Sequence, residues 1–216
     1  MIDWQQIDIV LLDMDGTLLD LNFDNHFWQE HVPLRFAEKH GIDIPAAKDT
    51  LFPMFREVEG TMDWYSVDYW TDSLQMDIAQ LKAEVRHLID IHPYVIAFLE
   101  RLKATGKQSI LVTNAHQKSL MLKMDKTRLH KHLDHIICAH DFGMPKEEQT
   151  FWDRLRGEHE FDKKRTLLCD DSLPVLRSAK QYGIEHLLAI YKPDSKRPEK
   201  DTEEFEGITY FNEIMP

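Results

Sequence analysis

The chain has 216 residues, of which 43% are hydrophobic and 30% charged, as is ordinary for a soluble globular protein. Its formal net charge of −12 argues against a nucleic-acid backbone or an anionic membrane as the main partner. That charge does not exclude a small phosphorylated ligand, which needs only a local positive site. No apolar run approaches the length of a membrane span, and the N-terminal residues lack the features of a signal peptide, so we expect a cytoplasmic protein.

The chain length allows one large domain, or a core with a smaller second domain. The two cysteines, Cys138 and Cys169, each lie in or beside an apolar, strand-like run. We therefore expect both thiols to be buried and reduced.

The first structured segment ends in a pair of carboxylates. Residues Ile7–Leu12 form an apolar, β-branched run that is typical of a fully buried parallel strand. Asp13 and Asp15 follow directly, and Gly16 permits a tight turn that can point both carboxylates at one spot. The carboxyl ends of parallel strands are where α/β sheets bind ligands. Two close carboxylates imply raised pKa values or a bound cation, and a site that offers only oxygen ligands predicts Mg²⁺ as the cofactor.

Residues 20–90 show helical patterns but no strand pattern. The predicted helices are Phe23–Gly41 with an interruption at Pro33, Ile44–Glu59, one that begins at Asp63 and ends near Leu74, and Ile78–Ile89. In the third of these, four apolar residues share one face and are expected to form core: Trp64, Val67, Trp70 and Leu74. The segment is too long for an ordinary loop. We interpret it as a helical cap, inserted after the first strand into an α/β core of residues 1–19 and 91–216.

From residue 91 onward, helical and strand patterns alternate. The first predicted helix begins near Pro93 and ends at Gly106. Three more cover Lys118–Leu133, Glu147–His159 and Leu173–Tyr182. The predicted strands are Gln108–Thr113, His135–Ala139, Arg165–Cys169 and His186–Ile190. We expect Lys192–Glu206 to be a solvated surface segment and Ile208–Ile214 to pack again. Alternation of this kind predicts an α/β fold with a right-handed, parallel, doubly wound, Rossmann-like sheet.

Three further polar groups stand at or soon after predicted strand ends: Thr113 with Asn114, Asp170 with Asp171, and Lys146. Each alone has a structural explanation, as a helix cap or a surface lysine. Together they meet at one edge of a parallel sheet. Carboxylates there can hold Mg²⁺, a hydroxyl and an ammonium can hold phosphate oxygens, and one carboxylate remains free to attack. This combination favours phosphoryl transfer.

The order of the motifs DMDGT, TNA, PK and CDDS resembles the four-motif signature of the haloacid dehalogenase-like hydrolase superfamily. The resemblance covers essentially the whole chain, and the helical insertion stands in the place of that superfamily's cap. It implies that Asp13 is the nucleophile, which forms an aspartyl phosphate and binds the metal. It further implies that Asp15 is the general acid and base and that its backbone carbonyl binds Mg²⁺.

The same resemblance implies the remaining roles. Thr113 and Asn114 would anchor the phosphate, and Lys146 would neutralise the nucleophile and the phosphate. Asp171 resembles the direct metal ligand, while Asp170 either binds the ion too or supports a ligand. Dehalogenases of the superfamily lack the second aspartate of the first motif, and phosphonatases depend on a cap lysine, so the aspartate at position 15 points to a phosphate ester.

A finer resemblance concerns the runs DGTLLDLNFDNHFW, WYSVDYW and FGMPKEEQTFW. They are similar to the 5′-nucleotidases of this superfamily that act on GMP and IMP, which implies a purine nucleoside monophosphate as substrate. Tyr65 and Tyr69, one helical turn apart, are then expected to face the cleft and stack on the base. A carboxylate among Asp24, Asp68 and Asp72 is expected to accept the N1–H of a 6-oxopurine.

Three other functions remain open from the sequence. The main alternative is a phosphatase of sugar phosphates or other small phosphate esters. A phosphomutase on the same scaffold is a second, because it differs in retaining the phosphoryl group. A non-catalytic phospho-switch like a receiver domain is a third, although receiver domains place their lysine last, whereas here an aspartate pair follows Lys146.

Overall fold

The computed structural model describes residues 2–216. Within these residues the strands are β1 (Ile9–Leu12), β2 (Gln108–Thr113), β3 (His135–Cys138), β4 (Thr166–Cys169), β5 (His186–Ile190) and β6 (Gly207–Ile208). All of them pair in parallel, in the spatial order β3-β2-β1-β4-β5-β6. The order reverses at β1, whose two neighbours lead to opposite halves of the sheet. Open parallel sheets bind their ligands beside such a reversal.

Helices fill the connections. Between β1 and β2 these are α1 (Asn22–His26), α2 (Val32–His40), α3 (Ile44–Glu57), α4 (Met62–Tyr65), α5 (Val67–Leu74), α6 (Ile78–Glu84) and α7 (Val95–Ala104). Further along are α8 (Gln117–Thr127), α9 (Ala139–Phe142), α10 (Gln149–Glu158) and α11 (Leu173–Tyr182). A π-helical segment, Phe27–His31, joins α1 to α2. Within residues 2–216, every helix is too short or too polar to traverse a lipid bilayer.

The sheet is covered on both faces, which explains its nearly continuous apolar strands. On one face Leu11 packs in a cluster with Phe151 and Trp152 of α10 and with residues of α11. On the other face Leu12 packs with α7, α8 and the helices between β1 and α7. Leu11 lies in register with Ile110 of β2 and Leu168 of β4, and all three are fully buried. The prediction of a doubly wound parallel α/β sheet is confirmed, and both cysteines are buried and unpaired.

The segment between β1 and α7 is helical, and its aromatic residues form a dense cluster. Phe55 makes edge-to-face contacts with Trp28 at 5.4 Å and with Trp70 at 5.0 Å, between ring centroids. Trp70 and Val67 are buried as expected from their shared face. The division into a core of residues 1–19 and 91–216 and a cap of residues 20–90 stays a prediction.

One predicted helix is in fact two. The helix expected to run from Asp63 to Leu74 breaks at Ser66, whose backbone is extended at φ −80° and ψ 115°. The Ser66 hydroxyl accepts a hydrogen bond from the backbone N–H of Tyr69 at 3.1 Å and so caps a new helix. Thr61, not Asp63, occupies the N-cap of the preceding turn.

The charged segment Lys192–Glu206 is not simply solvated, which corrects the expectation from its composition. Asp194 and Phe205 are buried, and the carbonyl of Pro193 accepts a hydrogen bond from the backbone N–H of Leu21 at 2.8 Å. Asp194 also accepts a hydrogen bond from the Asn25 side chain at 2.7 Å. The segment therefore returns to the carboxyl edge of the sheet, where the ammonium of Lys200 lies 3.6 Å from the Asp171 carboxylate.

Candidate active site

Strand ends bring the predicted residues to one edge of the sheet. The backbone N–H of Asp13 bonds to the carbonyl of Cys169 at 3.0 Å, and that of Asp170 bonds to Leu188 at 3.1 Å. Pairing therefore continues one residue beyond β1 and β4, which fixes both carboxylates next to each other. Thr113 ends the adjacent strand β2 and is also buried.

Lys146 is the buried cation of this edge. Its ammonium donates to Asp13 Oδ1 at 2.5 Å, to Asp170 Oδ2 at 2.7 Å and to the carbonyl of Val112 at 3.1 Å. Burial disfavours the charged form, but the two carboxylates outweigh it and raise the pKa of Lys146. The lysine is therefore a permanent positive charge between two strands.

The carboxylates are not fully compensated by that lysine. Burial raises the pKa of Asp13 to about 6, with the charge of Asp170 adding to the effect and Lys146 opposing it. Burial likewise raises the pKa of Asp171 to about 8. Asp13, Asp170 and Asp171 each offer an oxygen within 4.8 Å of the others. A compact set of hard oxygen donors with an excess of negative charge fits Mg²⁺.

The two aspartates after β4 differ in what they contact. Asp170 is occupied at both oxygens, because Oδ1 accepts from the backbone N–H of Ser172 at 2.9 Å and Oδ2 accepts from Lys146. Among residues 2–216, the Asp171 carboxylate forms one ion pair, with Lys200, whose ammonium lies 3.6 Å from Oδ2. Asp171 therefore keeps more of its oxygen lone pairs available for a further ligand.

Gly16 forms the floor beneath the Asp171 carboxylate. Its φ is +87°, and a Cβ added there would lie 2.7 Å from Cγ of Asp171 and 3.0 Å from Cβ of Pro193. Its backbone N–H bonds to the carbonyl of Leu19 at 2.7 Å, which closes the turn after the two aspartates. Only glycine satisfies both the backbone angle and the close approach.

Asp15 faces a second buried lysine. Lys123 Nζ lies 2.7 Å from Asp15 Oδ1 and 2.7 Å from Asp24 Oδ2, while Lys82 Nζ lies 3.0 Å from the other oxygen of Asp24. Burial raises the pKa of Asp15 to about 6 even though Lys123 opposes it. Burial would also raise the pKa of Asp24, but the two lysines hold it at about 2. A carboxyl with a pKa near 6 can both give and take a proton close to neutral pH.

Thr113 and Asn114 contribute in different ways. The Thr113 hydroxyl accepts from the backbone N–H of Ala115 at 3.0 Å and lines the cavity. The Asn114 side chain accepts from the backbone N–H of Lys146 at 3.0 Å and donates to Glu147 at 2.9 Å. With its amide occupied at both atoms, Asn114 fixes the segment that carries the lysine, and its backbone is what remains for a phosphate.

Of the two tyrosines expected to face the cleft, Tyr65 lines the cavity and Tyr69 does not line it within residues 2–216. Tyr65 lines the cavity, and its hydroxyl donates to Glu147 at 2.8 Å. Burial and the neighbouring carboxylate raise the pKa of Tyr65, which keeps the phenol protonated. Tyr69 instead packs edge-to-face on Trp70 at 5.0 Å and is absent from the cavity lining among residues 2–216.

The carboxylates expected to accept the N1–H of a purine, Asp24, Asp68 and Asp72, are also not placed as expected. Asp68 is exposed and pairs with Lys118 at 2.5 Å, and Asp72 does not line the cavity. Asp24 lines it, but both of its oxygens are bound by lysines. Within residues 2–216, none of the three therefore places an unpaired carboxylate in the cavity.

A cavity of about 490 Å³ lies at the carboxyl edge of the sheet. The sheet edge supplies Asp13, Asp15, Lys146 and Asp171, and the helices between β1 and α7 supply an aromatic wall, defined here as Trp28, Phe52, Phe55 and Trp64. The volume lies within the range of small-molecule sites.

Sequence reasoning missed several of these groups: Lys82, Lys123, Glu147, Lys200, Arg56 and the aromatic wall. Two of these residues, Lys123 and Glu147, stand at positions that the sequence itself marks as unusual. Lys123 falls on the buried face of α8 with Leu120 and Met124, where a lysine without a partner is costly. Glu147 directly follows the lysine of the third motif.

Comparison with known proteins identifies the family. Residues 10–189 match the model of the haloacid dehalogenase-like hydrolases. The chain belongs to this family. It is 40% identical over 215 residues to the GMP/IMP nucleotidase YrfG of Escherichia coli (strain K12), covering 100% of this chain and 97% of that protein. The same values hold for the GMP/IMP nucleotidase YrfG of Shigella flexneri.

Solved structures share the fold. A HAD phosphatase from Thermococcus onnurineus is similar with a TM-score of 0.79 and 21% identity, over 96% of each chain. The HAD-hydrolase YfnB from Bacillus subtilis, solved with magnesium bound, is similar with a TM-score of 0.68 and 17% identity, over 96% of each chain. The predictions of this superfamily and of an enzyme of the phosphatase class are confirmed.

The contact between Gly16 and Asp171 yields a test of the site's geometry. We expect Gly16→Ala to lower kcat/KM for phosphate release by roughly tenfold or more, because its Cβ displaces the Asp171 carboxylate. Gly60→Ala is the matched control, since Gly60 has φ +80° and no atom within 4 Å of the added Cβ. Both variants should lose about 1–2 kcal/mol of unfolding free energy from the backbone angle. Equal activity in the two variants would contradict the assigned contact.

Proposed function

We propose that the protein is a Mg²⁺-dependent phosphomonoesterase that works through an aspartyl phosphate on Asp13, and that its substrates are GMP and IMP. The observation that carries the chemistry is the placement of Asp13 beside Lys146, at 2.5 Å, within a cluster of three carboxylates that opens into the cavity. The observation that carries the substrate class is 40% identity over the full length to a protein named as a GMP/IMP nucleotidase.

The proposed reaction has two displacements. An oxygen of Asp13 attacks phosphorus, the bond from phosphorus to the ester oxygen breaks, and the leaving alcohol takes a proton from Asp15. Asp15, now ionised, takes a proton from water as that water attacks the phosphorus of the acyl phosphate. The bond to Asp13 breaks and inorganic phosphate leaves. The pKa of about 6 for Asp15 suits a group that serves as acid and then as base.

The cation site draws on the carboxylates that are least compensated. Asp13 and Asp171 would bind Mg²⁺ through their side chains, and the family resemblance adds the backbone carbonyl of Asp15. Asp170, held at both oxygens, instead fixes Lys146. When bound, Mg²⁺ neutralises charge on the nucleophile and on the phosphate. Lys146 and the Thr113 hydroxyl would hold phosphate oxygens.

The proposed role of the cap, residues 20–90, follows from which residues line the cavity. Residues 20–90 supply the aromatic wall, whereas the groups proposed for chemistry come from residues 1–19 and 91–216. A purine ring stacked on an indole gains about 1–3 kcal/mol, by analogy with single-strand binding. We therefore propose that the cap selects the leaving nucleoside while the sheet edge performs the phosphoryl transfer.

Replacing the nucleophile tests the covalent mechanism. We expect Asp13→Asn to lower phosphate release by roughly 10⁴-fold or more, because an amide does not form the acyl phosphate. Asp49→Asn, at an exposed position of α3 outside the cavity, should behave as wild type. Initial rates with GMP and thermal unfolding of each variant are the measurements. A folded Asp13→Asn variant that kept near wild-type turnover would exclude this nucleophile.

An activated ester distinguishes the two proposed roles of Asp15, as acid towards the leaving group and as base towards water. For Asp15→Asn we expect slow hydrolysis of GMP but a rapid burst of 2,4-dinitrophenol from its phosphate ester, since that leaving group needs no proton. Phosphoenzyme should then accumulate, because the attacking water lacks its base. Intact-mass spectrometry detects the adduct, with Asp13→Asn as the control that cannot form it. A burst without an adduct would refute the role.

A substrate panel tests the leaving group. We expect kcat/KM for GMP and IMP to exceed that for AMP by about tenfold or more, and to exceed that for ribose 5-phosphate and glucose 6-phosphate by a larger factor. The assays share enzyme, Mg²⁺ and pH. A sugar phosphate ahead of every nucleotide would replace the nucleotidase proposal with a sugar phosphatase, and transfer without release of free phosphate would indicate a mutase.

A further inference from the structure

Arg56 is the one arginine that lines the cavity, among the residues that the structure describes. It sits in the last turn of α3, directly after Phe55 of the aromatic wall. Other arginines of the chain pair with carboxylates, as Arg35 does with Glu84 at 2.8 Å and Arg177 does with Glu204 at 2.9 Å. Within residues 2–216, no side chain forms an ion pair or hydrogen bond with the guanidinium of Arg56. Its five donors therefore remain available to a ligand.

The position of Arg56 is fixed by its buried neighbour. Phe55 is 6% exposed and wedged between Trp28 and Trp70, so the last turn of α3 is anchored to the cluster. The Arg56 side chain itself is exposed and can adjust. Arg56 lines the same cavity as the half-buried indoles of Trp28 and Trp64, so a flat ring that stacks on one of them would share that cavity with the guanidinium.

The chemistry of a guanidinium matches one edge of a 6-oxopurine. Guanine and hypoxanthine carry two adjacent acceptors, O6 and N7, which accept the paired N–H groups of an arginine in the geometry used to read guanine in DNA. Adenine carries an amino donor in place of O6, so the same arginine meets a donor and loses one hydrogen bond. A guanidinium therefore favours GMP and IMP together and disfavours AMP.

We infer that Arg56 is the specificity-determining residue for the base and donates to O6 and N7 of a purine stacked on the aromatic wall. This inference rests on the proposed nucleotidase function and adds the residue that selects the base. It also replaces the expectation that an acidic side chain reads N1–H, because the carboxylate that reaches the cavity from α1, Asp24, is already bound by Lys82 and Lys123.

Substitution of Arg56 should lower the preference for GMP over AMP, with a smaller effect on a substrate that has no purine. For Arg56→Met we expect the ratio of kcat/KM for GMP to that for AMP to fall roughly 5- to 150-fold. The loss for GMP should exceed the loss for p-nitrophenyl phosphate, which has no purine, by a similar factor. Arg154→Met is the matched control, since Arg154 is exposed on α10, outside the cavity, and forms an ion pair with Glu158 at 3.2 Å.

Two further probes separate a bidentate contact from simple charge. Wild type should prefer GMP over 7-deaza-GMP, which lacks the N7 acceptor, and this preference should shrink towards one in Arg56→Met. Arg56→Lys keeps the charge but not the paired donors, so it should lose most of the GMP to AMP ratio. Full retention of that ratio by Arg56→Lys, with loss in Arg56→Met, would overturn the bidentate contact.

The outcomes distinguish this inference from the proposed function. If wild type prefers GMP and IMP and Arg56→Met keeps the same ratio, the inference fails while the nucleotidase stands. If wild type releases phosphate from sugar phosphates but not from nucleotides, the proposed function fails and the inference fails with it. If the ratio collapses in Arg56→Met and not in Arg154→Met, both are supported.

Discussion

An excess of buried negative charge at one strand edge is the constraint on which the rest of this molecule depends. Five carboxylates, three buried lysines and the partly exposed Lys200 meet there; the carboxylates are Asp13, Asp15, Asp24, Asp170 and Asp171, and the buried lysines are Lys82, Lys123 and Lys146. The three buried lysines balance three of the five formal negative charges and Lys200 lies near a fourth, so negative charge remains in excess. Burial raises the pKa values of Asp13, Asp15 and Asp171, and neighbouring carboxylates add to the effect. A divalent cation would supply the missing charge, and without it a phosphate dianion would be repelled.

The lysines also tie the molecule together. Lys146 bridges the residues after β1 and β4, and Lys123 of α8 bridges Asp15 to Asp24 of α1. Lys82 of α6 completes the series by pairing with Asp24 while its ammonium lies 4.5 Å from the ring centroid of Phe27. The proposed acid and base is thus held by the same charges that attach the helical insertion to the sheet. Removing one member of a buried ion pair typically costs about 3–5 kcal/mol, because the other charge is left unpaired.

The sequence was sufficient for five of the six strands and for the polar residues at their ends, because both are governed by local rules. The two-residue strand β6 was not predicted; it lies at the start of a segment that was expected only to pack. Apolar runs predicted β1, β2 and β5, and the polar residues that end a parallel strand must meet at one edge. The break at Ser66 and the buried path of Asp194 were not predictable in this way, since a serine cap competes with a continuing helix and a charged segment is buried only when its partners are distant in sequence. The Lys123 bridge was missed for the same reason, as it joins residues 99 positions apart.

The same charge balance bears on how a base can be recognised. A carboxylate that read the N1–H of a purine would add a further unpaired negative charge to a cavity that already holds an excess. A guanidinium at the aromatic wall adds a positive charge there instead, and it would read acceptors that GMP and IMP share. Tyr65 and Glu147 link the helical insertion to the segment that carries Lys146, so the part of the chain proposed to contact the base also contacts the part proposed to contact the phosphate. In the proposed function, selection of the nucleoside and positioning of the phosphate are connected through one short chain of hydrogen bonds.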